Sequence, residues 1–124
     1  MGCKGSQVQI LSLRPFFKTM SYFTVYTTFP NLAEAQKIAQ HLLEQRLVAC
    51  ANIMAPHQSL YWWQGKIETA QEVAVIFKTR ADLFENVAAA IKSLHSYDVP
   101  CIVALPIAAG HEPFLEWIEA ETTS

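Results

Sequence analysis

Three side chains of metal-binding type stand out in the sequence, namely His95, Cys101 and Glu68. Imidazole and thiolate groups suit copper or zinc, whereas a carboxylate is a harder ligand. The sequence therefore offers a candidate site for copper or another divalent metal ion, built on His95 and Cys101 and joined by Glu68. The structural alternative is favoured, because a histidine at a helix end caps carbonyl groups and a cysteine on a strand is usually a small buried hydrophobe. Any copper binding at this site is expected to be weak.

Catalysis has less support than metal binding. Cys50 lies in the apolar segment LVACANI, where nothing local activates a thiol as a nucleophile. His95 and Asp98 could serve as an acid–base pair, but no third group, oxyanion-donor motif or glycine-rich phosphate loop accompanies them. We therefore predict that the protein is not an enzyme and that Cys50 is structural.

An aromatic cluster precedes a Gln64-Gly65 pair, which is a plausible tight turn because glycine tolerates a positive φ. Aromatic side chains bury large areas and are enriched at interfaces, whereas a monomer avoids exposing such a patch. We predict that the cluster lies at a subunit interface or in a cleft between subunits. Nearby charged side chains either line that cleft or are solvated. The aromatic residues are Tyr61, Trp62 and Trp63, and the charged ones are Lys66, Glu68 and Lys78.

Composition limits the class of protein. The 124 residues suffice for one domain, and 52% of them are hydrophobic while only 16% are charged. No apolar run approaches the roughly 18 residues of a membrane span, so the apolar excess predicts an oligomer interface. The net charge of -2 and the lack of a basic cluster argue against nucleic-acid binding. Three cysteines without a CxxC spacing are typical of reduced thiols in a cytoplasmic protein.

The first 19 residues carry two competing signals. The start MGCKGS fits the N-myristoylation pattern, with Cys3 available for a second acyl chain. A clean strand-like pattern begins only after this segment, which favours a poorly ordered, dispensable tail. We expect a flexible tail over residues 1–19 and one domain over residues 20–124.

Hydrophobic periodicity predicts the elements of the first half of the domain. Residues 21–28 form a β-branched and aromatic strand. Asn31 and Glu34 have the spacing of a capping box for a helix that ends near Arg46, with one apolar stripe. That stripe consists of Ala35, Ile38, Ala39, Leu42 and Leu43. A long hairpin follows over residues 47–79, and it must bend near Pro56 or overshoot its own domain.

The second half repeats this alternation. Residues 79–82 resemble a helix cap, and the helix that they open has one apolar face and ends near His95. Residues 99–107 form the last strand, and Pro113 begins a short final helix. The order βαββαβ predicts an α+β, ferredoxin-like sandwich with both main helices on one face of an antiparallel sheet. The other face stays uncovered within one chain, and we expect a neighbouring subunit to cover it.

Four motifs together resemble the CutA family of divalent-cation tolerance proteins over residues 21–119. They are RLVACANI (46–53), SLYWWQGKIE (59–68), KT (78–79) and HSYDVP (95–100). The resemblance implies a ferredoxin-like protomer in a stable homotrimer with PII-like architecture, and a link to tolerance of copper and other divalent metals. The chain has Ser96 and Cys101 where the family commonly has proline and glutamate. It also has Thr27 and Leu94 where some members carry proposed metal ligands, which weakens an inherited metal site.

Three functional hypotheses follow from these features. The preferred one is a non-enzymatic, cytoplasmic homotrimer linked to metal-ion homeostasis. The second is a PII-like sensor that binds a small anionic or nucleotide-like ligand between subunits. The third is a scaffold for another protein, with the N-terminal segment as its anchor.

Overall fold

The computed structural model describes residues 20–123, so the predicted tail and its acylation motif lie outside the described residues. Five strands, three α-helices and one 3-10 turn follow one another in chain order. They are β1 (Tyr22–Phe29), α1 (Leu32–Glu44), β2 (Cys50–Ile53), β3 (His57–Trp63), β4 (Lys66–Arg80), the 3-10 turn (Ala81–Leu83), α2 (Phe84–Leu94), β5 (Ile102–Pro106) and α3 (Glu112–Glu121). None of these helices is long and apolar enough to cross a bilayer.

The sheet is antiparallel throughout, in the order β2-β4-β1-β5, and β3 pairs with β4 beyond the end of β2. Helix α1 joins β1 to β2 while β4 lies between those two strands, and α2 joins β4 to β5 while β1 lies between them. Two such split βαβ units give the predicted α+β sandwich. That part of the fold prediction is confirmed.

One face of the sheet carries the core, with both long helices packed on it. The helices contribute apolar residues at helical spacing, and β1 and β4 contribute alternate residues, as a half-buried sheet requires. The cluster consists of Val25, Phe29, Ala35, Ile38, Ala39, Leu42, Val48, Val73, Val75, Phe77, Val87 and Ile91. Leu43, predicted to belong to this stripe, is instead exposed.

The predicted N-terminus of α1 is half right. The Asn31 side chain accepts a hydrogen bond from the Glu34 amide at 2.8 Å, which is the expected N-cap. In a capping box the Glu34 side chain would bond back to the Asn31 amide, but here it bonds to a residue distant in the sequence. The Glu34 carboxylate accepts hydrogen bonds from the amide and hydroxyl of Ser96, at 2.9 and 3.0 Å, and so ties α1 to the segment after α2.

The end of α1 lies close to the predicted position near Arg46, whereas the predicted cap of α2 was wrong because a tertiary contact prevails. Helix α1 ends at Glu44, and Arg46 has a φ of 60° and forms an ion pair with Glu121 at 2.7 Å. Thr79 does not cap α2, because β4 continues through Arg80. Its hydroxyl donates to the Leu47 carbonyl at 2.6 Å, and no side chain caps α2.

The central hairpin closes at Gln64 and Gly65, which have φ values of 50° and 80°. Two consecutive positive φ values are the mark of a type I′ turn, so the predicted tight turn is confirmed. Strand β4 has 15 residues and is therefore about 50 Å long, which exceeds the roughly 35 Å diameter of a domain of this size. The hairpin thus extends beyond the helix-covered part of the sheet.

The first arm of the hairpin is interrupted between β2 and β3, as Pro56 predicted. Ile53 pairs with Val75 and His57 pairs with Glu72, so the three residues 54–56 lie opposite only two residues of β4. This is a β-bulge, which bends the strand and leaves a proline nitrogen outside the ladder.

The second face of the sheet is largely open in the single chain. Helix α3 lies at one end of it, where Tyr22 donates a hydrogen bond to Glu119 at 3.0 Å and Arg80 donates to the Thr122 carbonyl at 3.4 Å. Val103 and Leu105 of β5 remain exposed. The last strand is also shorter than predicted, because residues 99–101 precede it without ladder pairing.

Candidate functional site

A cavity of about 500 Å³ opens where β3, β4 and β1 approach the segment between α2 and β5. Strand β3 supplies Ser59, Tyr61 and Trp63 to its wall, because alternate residues of a strand point to the same face. Strand β4 supplies Glu72 and β1 supplies Thr28. The segment between α2 and β5 closes the other side with Tyr97, Asp98, Val99 and Cys101.

The bulge determines which aromatic residues of β3 reach this cavity. In the ladder, Tyr61 lies opposite Glu68 and Trp63 lies opposite Lys66, so these residues share the face that carries Glu72. Trp62 lies opposite Ile67 on the other face of the hairpin. Two kinds of surface therefore alternate along β3: one lines the cavity and the other is apolar and exposed.

Glu72 is the most deeply buried acidic group of the cavity, with 8% of its surface exposed. Among residues 20–123, the hydrogen bond to its carboxylate comes from the Tyr97 hydroxyl, at 2.8 Å to Oε2. None of the ion pairs within these residues includes Glu72. A carboxylate held in this way favours a positive partner in the space that it faces.

Burial, and then the negative charge of Glu72, shifts the pKa values of two neighbouring acidic groups. The pKa of the Tyr97 phenol is raised well above its usual value, mainly by burial and then by the hydrogen bond and charge of Glu72. Burial, and secondly the charge of Glu72, also raises the pKa of the Cys101 thiol. Both shifts favour the neutral forms of the phenol and the thiol. The Cys101 thiolate is therefore not stabilised as a nucleophile.

The His95 side chain is fully buried and has a positioning role. Its Nδ1 accepts a hydrogen bond from the Tyr97 amide at 3.0 Å, so Nε2 carries the proton and donates to the Thr28 carbonyl at 2.7 Å. Its ring stacks on Phe29 with centroids 4.9 Å apart. The side chain therefore bonds to a carbonyl of β1. The prediction that it caps the end of α2 was wrong. The side chain also fixes Tyr97, and with it the cavity wall.

The three predicted metal ligands lie in different environments. Both nitrogens of His95 are engaged within the chain, Cys101 lines the cavity, and Glu68 is exposed on the hairpin outside it. No group of three or more His, Cys, Asp or Glu side chains within residues 20–123 is arranged to hold a metal ion. The expectation that Cys101 is a buried hydrophobe was wrong, because it is exposed on the cavity wall, where its thiol is only partly shielded from water.

The other residues singled out in the sequence do not form one site either. Asp98 lines the cavity but makes no hydrogen bond with His95, whose nitrogens bond to Thr28 and Tyr97. Lys66 and Lys78 do not line the cavity, and Lys78 donates to the Asn52 side chain at 3.0 Å. Cys50, half-buried on β2, pairs with Lys78 in the ladder.

Sequence reasoning missed Glu72, the most deeply buried acidic group of the cavity wall. Its signal was its position, because it directly precedes the apolar run 73–77 that enters the core. A carboxylate at that point of a strand lies next to buried surface. The convergence with Tyr97 was not visible, since the two residues are 25 positions apart.

Comparison with known proteins gives consistent results. The family model described as CutA1 divalent ion tolerance protein matches residues 23–121. The divalent-cation tolerance protein CutA of Archaeoglobus fulgidus is 50% identical over 95 residues, which are 77% of this chain and 92% of the relative. The protein of the same name from Pyrococcus horikoshii is 48% identical over 98 residues, covering 79% of this chain and 95% of the relative.

Solved structures agree with the sequence comparison. The structure of the A. fulgidus protein, described as a periplasmic divalent cation tolerance protein, matches with a TM-score of 0.79 and 48% identity, covering 81% of this chain and 97% of its own. CutA1 from Oryza sativa matches with a TM-score of 0.82 and 38% identity, covering 85% of this chain and 96% of its own. The family match, the identities and the shared fold agree, and the chain belongs to the CutA1 divalent ion tolerance protein family.

Proposed function

We propose that this protein acts as a non-enzymatic homotrimer in the cellular response to divalent metal ions, copper among them. The family is named for divalent-ion tolerance and not for a reaction, which supports a role without catalysis. The cytoplasm is the proposed compartment, on the basis of the cysteine usage.

The observation that carries the assembly is the apolar surface left exposed in one chain. Leu60, Trp62 and Ile67 form one face of the hairpin and are 66%, 73% and 62% exposed. Val103 and Leu105 form a second patch on the open side of the sheet. Patches of this kind mark protein–protein contacts, because their burial releases water from apolar surface.

The free strand edges offer contacts from which a ring can be built. Within residues 20–123, β3 pairs only with β4 and β5 pairs only with β1, so each has one free edge. A contact between the β3 edge of one copy and a different surface of the next copy is heterologous, and such contacts build rings when the rotation closes. Three copies match the assembly that the sequence resemblance implies.

The proposed metal contact is weak. The sequence offers His95, Cys101 and Glu68, and of these only Cys101 both faces the cavity and has a metal-binding sulfur. A metal ion must displace the proton of this thiol, whose pKa is raised by burial. The neighbouring Glu72 and Asp98 carboxylates would attract any divalent cation to the same cavity.

The assembly is tested by size-exclusion chromatography with light scattering at micromolar chain concentration. Three chains of 13.9 kDa give an expected mass of about 42 kDa. Trp62→Ser should shift the mass towards the single chain, whereas Leu43→Ser, an exposed change on α1, should not. A wild-type protein that elutes as a folded single chain would refute the proposed assembly.

The metal contact is tested by titration calorimetry with Cu²⁺ and Zn²⁺ on the wild type and on Cys101→Ser. We expect micromolar or weaker binding that the serine variant reduces about tenfold. Glu68→Gln should change it little, because Glu68 lies outside the cavity. Tight binding that survives Cys101→Ser would locate the site elsewhere.

A further inference from the structure

The cavity beside the hairpin has a chemistry that metal-ion tolerance does not require. We propose that it binds a small organic cation, an ammonium compound whose charged head meets the Glu72 carboxylate and whose carbon groups lie against Tyr61 and Trp63. The inference does not rest on the assembly proposed above, because every residue used for it belongs to one chain.

The first argument is charge. Glu72 and Asp98 both line the cavity, and no lysine or arginine does. Glu72 is nine-tenths buried, and its hydrogen bond within residues 20–123 comes from a neutral phenol. A buried carboxylate is stabilised most by a partner that carries a positive charge. Hydrogen-bond donors or a polarised surface on that partner add to the stabilisation.

The second argument is the aromatic wall. Tyr61 and Trp63 come from the same face of β3, and Tyr97 stands opposite them, held by His95 and Glu72. Aromatic faces attract ammonium groups through their quadrupole, and the attraction grows when the site is shielded from water. Carboxylates surrounded by aromatic rings are the arrangement that alkylated ammonium groups prefer over bare metal ions.

The third argument is size. A cavity of about 500 Å³ falls within the range of small-molecule sites. It is much larger than one metal ion with its ligands, and no group of three metal-binding side chains exists within the described residues. An ammonium compound of roughly five to ten heavy atoms would fill it together with a few waters.

An anionic ligand fits less well. Glu72 and Asp98 both line the cavity and no lysine or arginine does, so a further negative charge is unfavourable there. Phosphate groups are usually bound by arginine, lysine or a helix N-terminus, and the cavity wall contains neither basic side chain. The hypothesis of a nucleotide-like ligand is therefore not supported at this cavity.

The test is titration calorimetry of the full-length protein with two charged probes, choline and butylammonium. Each has an uncharged counterpart of similar shape, dimethylbutanol for choline and butanol for butylammonium. We expect saturable binding of at least one charged probe, about tenfold tighter than its uncharged counterpart. Adenosine triphosphate, added as an anionic probe, should not compete.

Variants assign the binding to the cavity. Glu72→Gln keeps an acceptor for the Tyr97 hydroxyl but removes the charge, and it should weaken the charged probe about tenfold. Glu68→Gln is the matched control, since Glu68 lies on the same face of β4 outside the cavity wall, and it should leave the affinity unchanged. Trp63→Leu tests the aromatic wall with the carboxylate intact, and serves if Glu72→Gln fails to fold.

Three results would overturn the inference. One is that neither charged probe binds at millimolar concentration. Another is equal affinity for charged and uncharged members of a pair, which would make the cavity merely apolar. The third is an affinity that neither Glu72→Gln nor Trp63→Leu changes. Light scattering on the same samples reports the oligomeric state separately, so failure of the trimer and failure of the cation site are distinguishable.

Discussion

Replacing His95 by leucine separates a positioning role from a metal-binding role. The change leaves two backbone groups without their partners, the Thr28 carbonyl and the Tyr97 amide. Each unsatisfied group costs about 1–3 kcal/mol, with the higher value at Thr28, which is buried, and the lower at the half-buried Tyr97. Loss of the stacking on Phe29 adds about 0.5–1 kcal/mol. We therefore expect a loss of about 4.5–5 kcal/mol in unfolding free energy.

The assay is urea denaturation at a fixed chain concentration, followed by circular dichroism. His111→Leu is the matched control, because His111 is exposed and its side chain makes no capping hydrogen bond to α3. It should change the unfolding free energy by less than about 0.5 kcal/mol. As a second readout, the freed Tyr97 in His95→Leu should titrate closer to its ordinary pKa, since it is no longer held against Glu72.

A different outcome would refute this reasoning. If His95→Leu unfolded within about 1 kcal/mol of the wild type but lost Cu²⁺ binding, His95 would be a ligand and its two hydrogen bonds would be incidental. If it lost stability and kept its metal affinity, the positioning role would stand.

Three further predictions concern single contacts. Asn31→Ala removes the acceptor for the Glu34 amide and should lower the unfolding free energy by about 1 kcal/mol in urea denaturation. Thr27→Val should raise it by about 1 kcal/mol, because the buried Thr27 hydroxyl has no hydrogen-bond partner within residues 20–123 and valine has nearly the same shape. Burial, and then the hydrogen bond and charge of Glu119, raises the pKa of Tyr22 from 10.0 to about 12. This contribution to stability is complete below pH 10 and is lost as the pH rises through about 12, so Tyr22→Phe should flatten the fall in stability over that interval, measured by denaturation at several pH values.

Local patterns in the sequence predicted the elements well where a local rule decides. The period of the apolar residues predicted α1 and α2, and the Gln64-Gly65 pair predicted the turn because only a positive φ closes a two-residue hairpin loop. The interruption at Pro56 followed from its missing donor. Each of these rules depends on neighbours within a few residues.

The failures are cases in which a distant group competes with a local rule. Thr79 has the sequence context of a cap, but its hydroxyl donates a hydrogen bond to the backbone carbonyl of Leu47 instead. Glu34 has the spacing of a capping box, but Ser96 offers two donors from the end of α2.

The candidate site was the least predictable part. Its wall combines β1, β3, β4 and the segment after α2, and no spacing in the sequence brings Glu72 next to Tyr97. His95 was singled out as a candidate metal ligand and, with preference, as a cap for the end of α2, but its nitrogens bond instead to the Thr28 carbonyl and the Tyr97 amide.

The single extra residue at 54–56 acts as a phase shift in the alternation of side chains. In β2, even-numbered residues share a face with the even-numbered residues of β4, whereas in β3 the odd-numbered ones do. Without this extra residue, Trp62 would lie on the face that Tyr61 and Trp63 now occupy. The face that lines the cavity and the exposed apolar face of β3 would then be exchanged. Lengthening the tip by equal numbers of residues in both arms preserves this division, while an odd insertion in one arm alone destroys it.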